Sequence, residues 1–291
     1  MSTLMDVTQY LNLYRMIQSL YSYLTKNRWL NIIVAIVYYI IVVTTHKQVG
    51  RFVAQNLDRP LGRDNYNLVV TIAGIIALLV ATALIQKRFR TELSTLERHK
   101  ISFYFVSLLG LILIAVNVIM VVNVEIIHIA QYCVMAVLLY PLLRNFNLVM
   151  VMTTLLGALD EAYQFWYLFP KKSDYFDFND VIINFLGVLL GLIILRSQGI
   201  KHAPNNRPWY RSSTFVISSS IIALTCIGLA AGWVSIAPPK GGEVAVVELV
   251  REYKPGFWRI IPPQVKFHVI RPLEFVILIV FLMCSYRKLG N

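Results

Sequence analysis

Apolar residues in this chain come in long, nearly uninterrupted runs separated by short polar or basic stretches, unlike the mixed faces of a water-soluble domain. Eight runs stand out, at about 29–45, 67–85, 101–124, 126–143, 147–166, 180–195, 214–236 and 272–286. About 20 apolar residues in a helix cross a hydrocarbon core about 30 Å thick, and a helix satisfies its backbone amides without water. The runs therefore predict an all-α integral membrane protein, a polytopic helical bundle of about eight spans. Pro141 falls near the end of the fourth run, where a missing amide donor is tolerated. Only a few residues around Arg144 and Asn145 separate the fourth run from the fifth, which predicts a tight helical hairpin.

Two segments lie outside this pattern. Residues 4–25 repeat apolar side chains at Val7, Tyr10, Leu11, Tyr14, Ile17, Leu20, Tyr21 and Leu24, with polar residues between them. That spacing predicts an amphipathic helix over 1–28, lying in the membrane interface or packed on the protein's own spans. The second segment is the 237–271 loop, read as a small outer subdomain and a candidate lid. Val244–Val250 is rich in β-branched residues and Pro255-Gly256 reads as a turn, so a small hairpin is expected there. The chain then divides into 1–28, the first two spans with a basic inner loop (29–100), the central spans (101–196), and the last two spans with the outer loop (197–291). A cleavable signal is not expected, because no small-residue cleavage site follows the first run.

Composition agrees with a bilayer. Charged residues make up 14% of the chain, against about 25% in soluble domains. The net charge of +12 would raise the question of nucleic acid in a soluble protein. Here the bases sit in short loops between apolar runs, which suits anionic lipid head groups, and no basic, aromatic-interleaved module is present. Lysine and arginine placement favours cytoplasmic N- and C-termini, with Arg15, Lys26 and Arg28, the 87–100 cluster, Arg144, the 196–211 cluster, Arg287 and Lys288 inside a cell membrane. Most acids then fall on the outer side. Cys133, Cys226 and Cys284 lie within apolar runs and read as small hydrophobes.

Ionisable groups inside membrane spans are costly and by default mark function. They concentrate in the fourth to sixth runs, as Glu125, His128, Gln131 and Tyr132, then Asp160-Glu161 and Gln164, then Asp177, Asp180 and Asn184. Because successive helices alternate direction, the start of the fourth, the end of the fifth and the start of the sixth share one side. Glu125 with His128 and Glu161 with Gln164 are i, i+3 pairs, and Asp180 with Asn184 is i, i+4, so each pair shares a face. These stripes predict one pocket facing outward. Glu161, His128 and Asp180 are the candidates for acid–base chemistry, with Glu125, Gln164, Asn184, Lys171 and Lys172 orienting or attracting a substrate. Gly187-x-x-x-Gly191 is a small-residue pattern that lets a neighbouring helix approach, here expected to be the fifth.

In this order the residues resemble the VanZ-like family of membrane proteins. The resemblance rests on Glu125…His128, Glu161-x-x-Gln164, Lys171-Lys172 and Asp180-x-x-x-Asn184-x-x-Gly187-x-x-x-Gly191, about a quarter of the chain. Glu125 stands where Asp is usual, Ile126 where Lys is frequent, and the loop lysines where Arg is usual. The resemblance implies an association with resistance to teicoplanin-type glycopeptide antibiotics.

Three functions are consistent with this pattern. The first is a site that binds or modifies an envelope lipid, a lipid-linked precursor or an amphiphilic antibiotic. The second is a transporter or proton-binding protein, for which inverted repeats and paired broken helices are lacking. The third is a scaffold whose polar groups merely cap and cross-link helices. A metal on His128, Glu161, Asp177 and Asp180 is a variant of the first, but one histidine without HExxH-type spacing does not predict it. No cofactor is expected, since no P-loop, dinucleotide or nucleophile-elbow motif is present. Membrane lipids are the expected partners. His46, His99, His202 and His268 read as interface or loop histidines.

Overall fold

The structure is a computed structural model that describes residues 19, 21–89, 93–121, 125–170, 175–200, 211–236, 245–251, 258–261 and 265–290. Most of the predicted 1–28 segment, Lys171 and Lys172, and Pro255-Gly256 lie outside these residues. Each apolar run coincides with a helix. In chain order these are α1 (Arg28–Thr44), α2 (His46–Val53), α3 (Arg63–Phe89), α4 (Thr95–Val118), α5 (Ile126–Leu143), α6 (Phe146–Tyr163), α7 (Phe178–Ser197), α8 (Ser213–Ala230) and α9 (Pro272–Tyr286). The short α2 is additional to the expected runs; the segment that it opens, His46–Leu61, bends away from α1 by 53°. Among the described residues, four helices are long and apolar enough to cross a membrane, or five if α1 and the bent segment His46–Leu61 form one span.

The outer surface supports the same environment. Ile33, Val37 and Ile40 of α1, Leu79 of α3, Phe103, Val106 and Leu113 of α4, and Ile277 and Phe281 of α9 are all exposed. Soluble monomers rarely leave contiguous apolar surface of this extent uncovered, whereas lipid tails cover it at no cost.

Helix ends follow local sequence. Ser94 accepts a hydrogen bond from the Glu97 amide and caps α4, and Asn145 does the same for α6 through the Leu148 amide. Arg144 adopts a left-handed conformation (φ 51°) that turns α5 into α6, so the predicted tight hairpin is present. Beyond α6 the chain continues in a wider π-type turn, Gln164–Leu168.

Helix α7 is the axis of the bundle. Every residue from Val181 to Ile193 is buried, and α3, α4, α5, α6 and α9 all pack on it. A helix apolar on all sides belongs at such a centre. Gly187 and Gly191 make it possible, but the neighbour they admit is α5 rather than the α6 expected from the sequence. A Cβ at Gly187 would overlap the Ile129 carbonyl, and one at Gly191 would crowd that of Cys133. The small residue between α6 and α7 is instead Gly157, whose absent Cβ leaves room for the Asn184 side chain.

At the far end of α7, Arg196 is buried, pairs with Glu97 at 3.1 Å and donates to the Leu289 carbonyl. Strands β1 (Val234–Ser235) and β2 (Val247–Glu248) pair in parallel, and β3 (Trp258–Ile261) pairs antiparallel with β4 (Val265–His268). An antiparallel pair therefore joins 258–261 to 265–268, and Val247–Glu248 of the β-branched stretch forms a strand with β1; the expected turn at Pro255-Gly256 lies outside the described residues. Arg251 donates to the carbonyls of Phe165 and Pro170, and Asn179 bonds the backbone of Ile119, His268 and Ile270. These contacts hold the loop over the end of the bundle where α7 begins.

Candidate functional site

At that end, four helices deliver polar side chains to one place. α6 presents Asp160 and Glu161 on its last turn, with Gln164 just beyond it; α5 presents His128 and Tyr132 on its first two turns; α7 presents Asp180 and Asn184; and α2 begins with His46. Asp160 is fully buried at the middle of the group. His46 Nε2 lies 3.0 Å from its Oδ1, and the Tyr132 hydroxyl donates to its Oδ2 at 3.1 Å. Gln164 Nε2 donates to Glu161 Oε1 at 3.0 Å and stands 3.4 Å from both His46 Nε2 and Asp160 Oδ1.

His128 forms the second half. Its Nδ1 is 3.0 Å from Asn184 Oδ1, and an amide oxygen only accepts, so the proton sits on Nδ1. That leaves Nε2 facing Asp180 Oδ2 at 4.0 Å. The His46 and His128 rings stack with centroids 5.6 Å apart and join the halves. His128 is buried with Asp160 and Glu161, whereas His46 and Asp180 keep 15% and 16% of their side chains accessible. The group therefore meets its surroundings through those two residues and the half-buried Gln164.

Such density of carboxyls is physically demanding. Glu161 lies within electrostatic reach of Asp180, Asp160, Asp177 and Glu125. Removing carboxylates from water is tolerable only when each is protonated, paired or neutralised by a cation. Histidines and amides answer part of that need here, and the Nδ2 atom of the fully buried Asn184 has no partner.

The predicted residues separate into groups. His128, Glu161, Gln164, Asp180 and Asn184 are brought together. Glu125 accepts from the Val121 amide at 2.8 Å, so it also holds the turn before α5. Asp177 caps α7 through the Asn179 and Asp180 amides. His268 bonds Glu274 at 3.2 Å beside the loop, in keeping with a loop histidine.

His46 differs from its expected role, because its place is inside the group. Helix α1 is tied to the same bundle, since Tyr38 and Tyr39 donate to the Gln131 and Leu156 carbonyls. Asp160, the most connected carboxyl of the group, is among the polar residues that the sequence concentrates here but has no role assigned to it there. The signal for both was present: the end of the first run shares a side with Asp160, and Asp160 is i, i+4 to Gln164.

A chemical consequence follows from the spacing. One ligand atom from each of His128, Asp160 and Glu161 can be chosen so that all lie within 4.8 Å of one another, close enough to share a proton network or a cation. The hydrogen bond from His128 Nδ1 to Asn184 orients the ring as outer-shell partners of working histidines do. No family model, curated protein or solved structure matches this chain.

Proposed function

We propose that this chain is an eight-span, VanZ-like protein of the cell membrane whose outward-facing acid–histidine centre binds or modifies the polar head of an amphiphilic envelope component. An envelope lipid, a lipid-linked precursor and a lipidated glycopeptide share the required chemistry, an apolar tail with a hydrogen-bonding head. The observation that carries the reading is the convergence, from four helices, of the buried His128, Asp160, Glu161 and Asn184 with the partly accessible His46. Helix caps and cross-links need one or two polar groups per contact and gain little from more. Five at one depth, with a histidine and a carboxylate at the rim, make a site.

In this reading Glu161 and His128 exchange a proton with the bound head, and Asp160 holds His46 and Tyr132 in place. Gln164 and Asn184 orient the ligand. Lys171 and Lys172 attract anionic head groups at the outer surface. Teicoplanin is the first compound to try, given the family resemblance. Expression in a susceptible Gram-positive host should raise the inhibitory concentration of teicoplanin, and Glu161→Gln or His128→Ala should abolish the rise at unchanged membrane abundance. Full protection by both variants would reject the site.

The proximity of His128, Asp160 and Glu161 favours a second reading, in which the head is held through a divalent metal. Metal analysis of purified protein separates the two: near one equivalent, lost in Glu161→Gln, supports the metal.

A further inference from the structure

The opposite end of the bundle carries a cavity with a different chemistry. It measures about 310 Å³, at the lower end of the range of about 300–1,000 Å³ typical of small-molecule sites. Its walls are Leu24 and Thr25, Arg28 and Asn31 of α1, and Pro141, Leu142 and Arg144 at the end of α5. Helix α1 separates it from the acid–histidine centre by 17 residues, about 26 Å at 1.5 Å per residue.

Three observations define what would fill it. Asn31 is fully buried, yet neither its Oδ1 nor its Nδ2 has a hydrogen-bond partner. A buried amide with both ends unanswered is an expensive arrangement that a ligand can relieve. Arg28 and Arg144 stand exposed at the lip, and neither pairs with a carboxylate among the described residues. Arg144 is also the one non-glycine among the described residues with positive φ, a conformation that puts strain at this lip. Leu24 and Leu142 give the cavity an apolar flank.

Two guanidinium groups at the rim and an amide offering both a donor and an acceptor inside suit a phosphodiester that also carries a hydroxyl. The apolar flank suits the start of an acyl chain. We propose that this cavity binds the head group of an anionic phospholipid of the glycerol type, with Arg28 and Arg144 on the phosphate and Asn31 on the head-group hydroxyl. The lysine and arginine distribution that places the acid–histidine centre outside places this cavity at the cytoplasmic leaflet, where anionic lipids attract basic groups. The site does not depend on the function of the outer centre.

The test is lipid retention in nanodiscs containing equal phosphatidylglycerol and phosphatidylcholine, read by native mass spectrometry after release. Wild type should hold phosphatidylglycerol with a preference of about tenfold or more, as expected for two nearby arginines. The double variant Arg28→Gln/Arg144→Gln should lose the preference, and Arg28→Lys/Arg144→Lys should keep part of it, which separates binding from misfolding. Asn31→Leu should weaken retention while leaving the protein at least as stable in phosphatidylcholine alone. Equal retention of both lipids by wild type, or an unchanged preference in the glutamine double variant, would overturn the proposal. Thermal protection by millimolar inorganic phosphate in detergent, without a lipid preference in nanodiscs, would assign the cavity to free phosphate and overturn it as well.

Discussion

Helices α7 and α8 are nearly equally apolar and of similar length, yet 89% of one and only 6% of the other is buried within the protein. Hydropathy therefore identifies the helices that can cross a membrane without saying where each stands. The difference lies in a few residues. α7 carries Gly187 and Gly191, which bring α5 to backbone contact, and Asn179, Asp180 and Asn184, which need protein partners. α8 has only hydroxyls among its polar side chains, and a serine or threonine can bond its own helix. In lipid, a glycine that admits a neighbouring backbone and a polar group that needs a partner on another helix hold a helix in the interior, whereas hydroxyls bonded within their own helix do not.

The largest test of this contrast is steric. Gly187→Leu drives a side chain into the Ile129 backbone, and α5 cannot retreat without opening the bundle. Overpacking costs about 1–3 kcal/mol and occasionally more, and a backbone obstacle belongs at the upper end. The expected result is loss of the monodisperse species in detergent; a normal elution profile and melting temperature would place α7 elsewhere.

A polar test comes next. Asp160→Ala strands His46 and the Tyr132 hydroxyl, a loss of about 1–3 kcal/mol for each buried group left unpaired. Asp160→Asn keeps an acceptor for Tyr132 and should be milder. Thermal unfolding of the two variants should rank alanine well below asparagine; equal melting would mean that Asp160 is not the hub.

The smallest effect is expected on α8. Ile222, 62% exposed, should tolerate alanine within about 0.5 kcal/mol. A large drop in melting temperature there would reveal an unseen partner for α8 and erase the contrast.

Much of the fold was legible in the residues. All eight apolar runs became helices, and the Arg144-Asn145 turn stands where spacing put it. What escaped depended on contacts between distant segments. Gly187 and Gly191 declare a close approach but not its partner, since every neighbouring helix offers a backbone. The β-branched stretch does contribute a strand, Val247–Glu248, but its partner Val234–Ser235 lies before the loop, and β-branched content says nothing about which strand another will find. In the centre, i, i+3 and i, i+4 spacing grouped His128, Glu161, Gln164, Asp180 and Asn184 correctly by helix. His46 was missed because a single histidine after an apolar run looks the same whether it faces head groups or a buried carboxylate. Only the alternation of helix direction pointed to it.

The central claim is that the acid–histidine centre receives a ligand's polar head rather than closing on itself. The most direct measurement is a cryo-EM structure in nanodiscs made from native envelope lipid. The account predicts density for a head group within hydrogen-bond distance of Glu161 or His128, entering past His46 and Asp180. A map showing only acyl chains across the mouth, with His46, Asp160, Tyr132 and Gln164 bonded solely to one another, would contradict it.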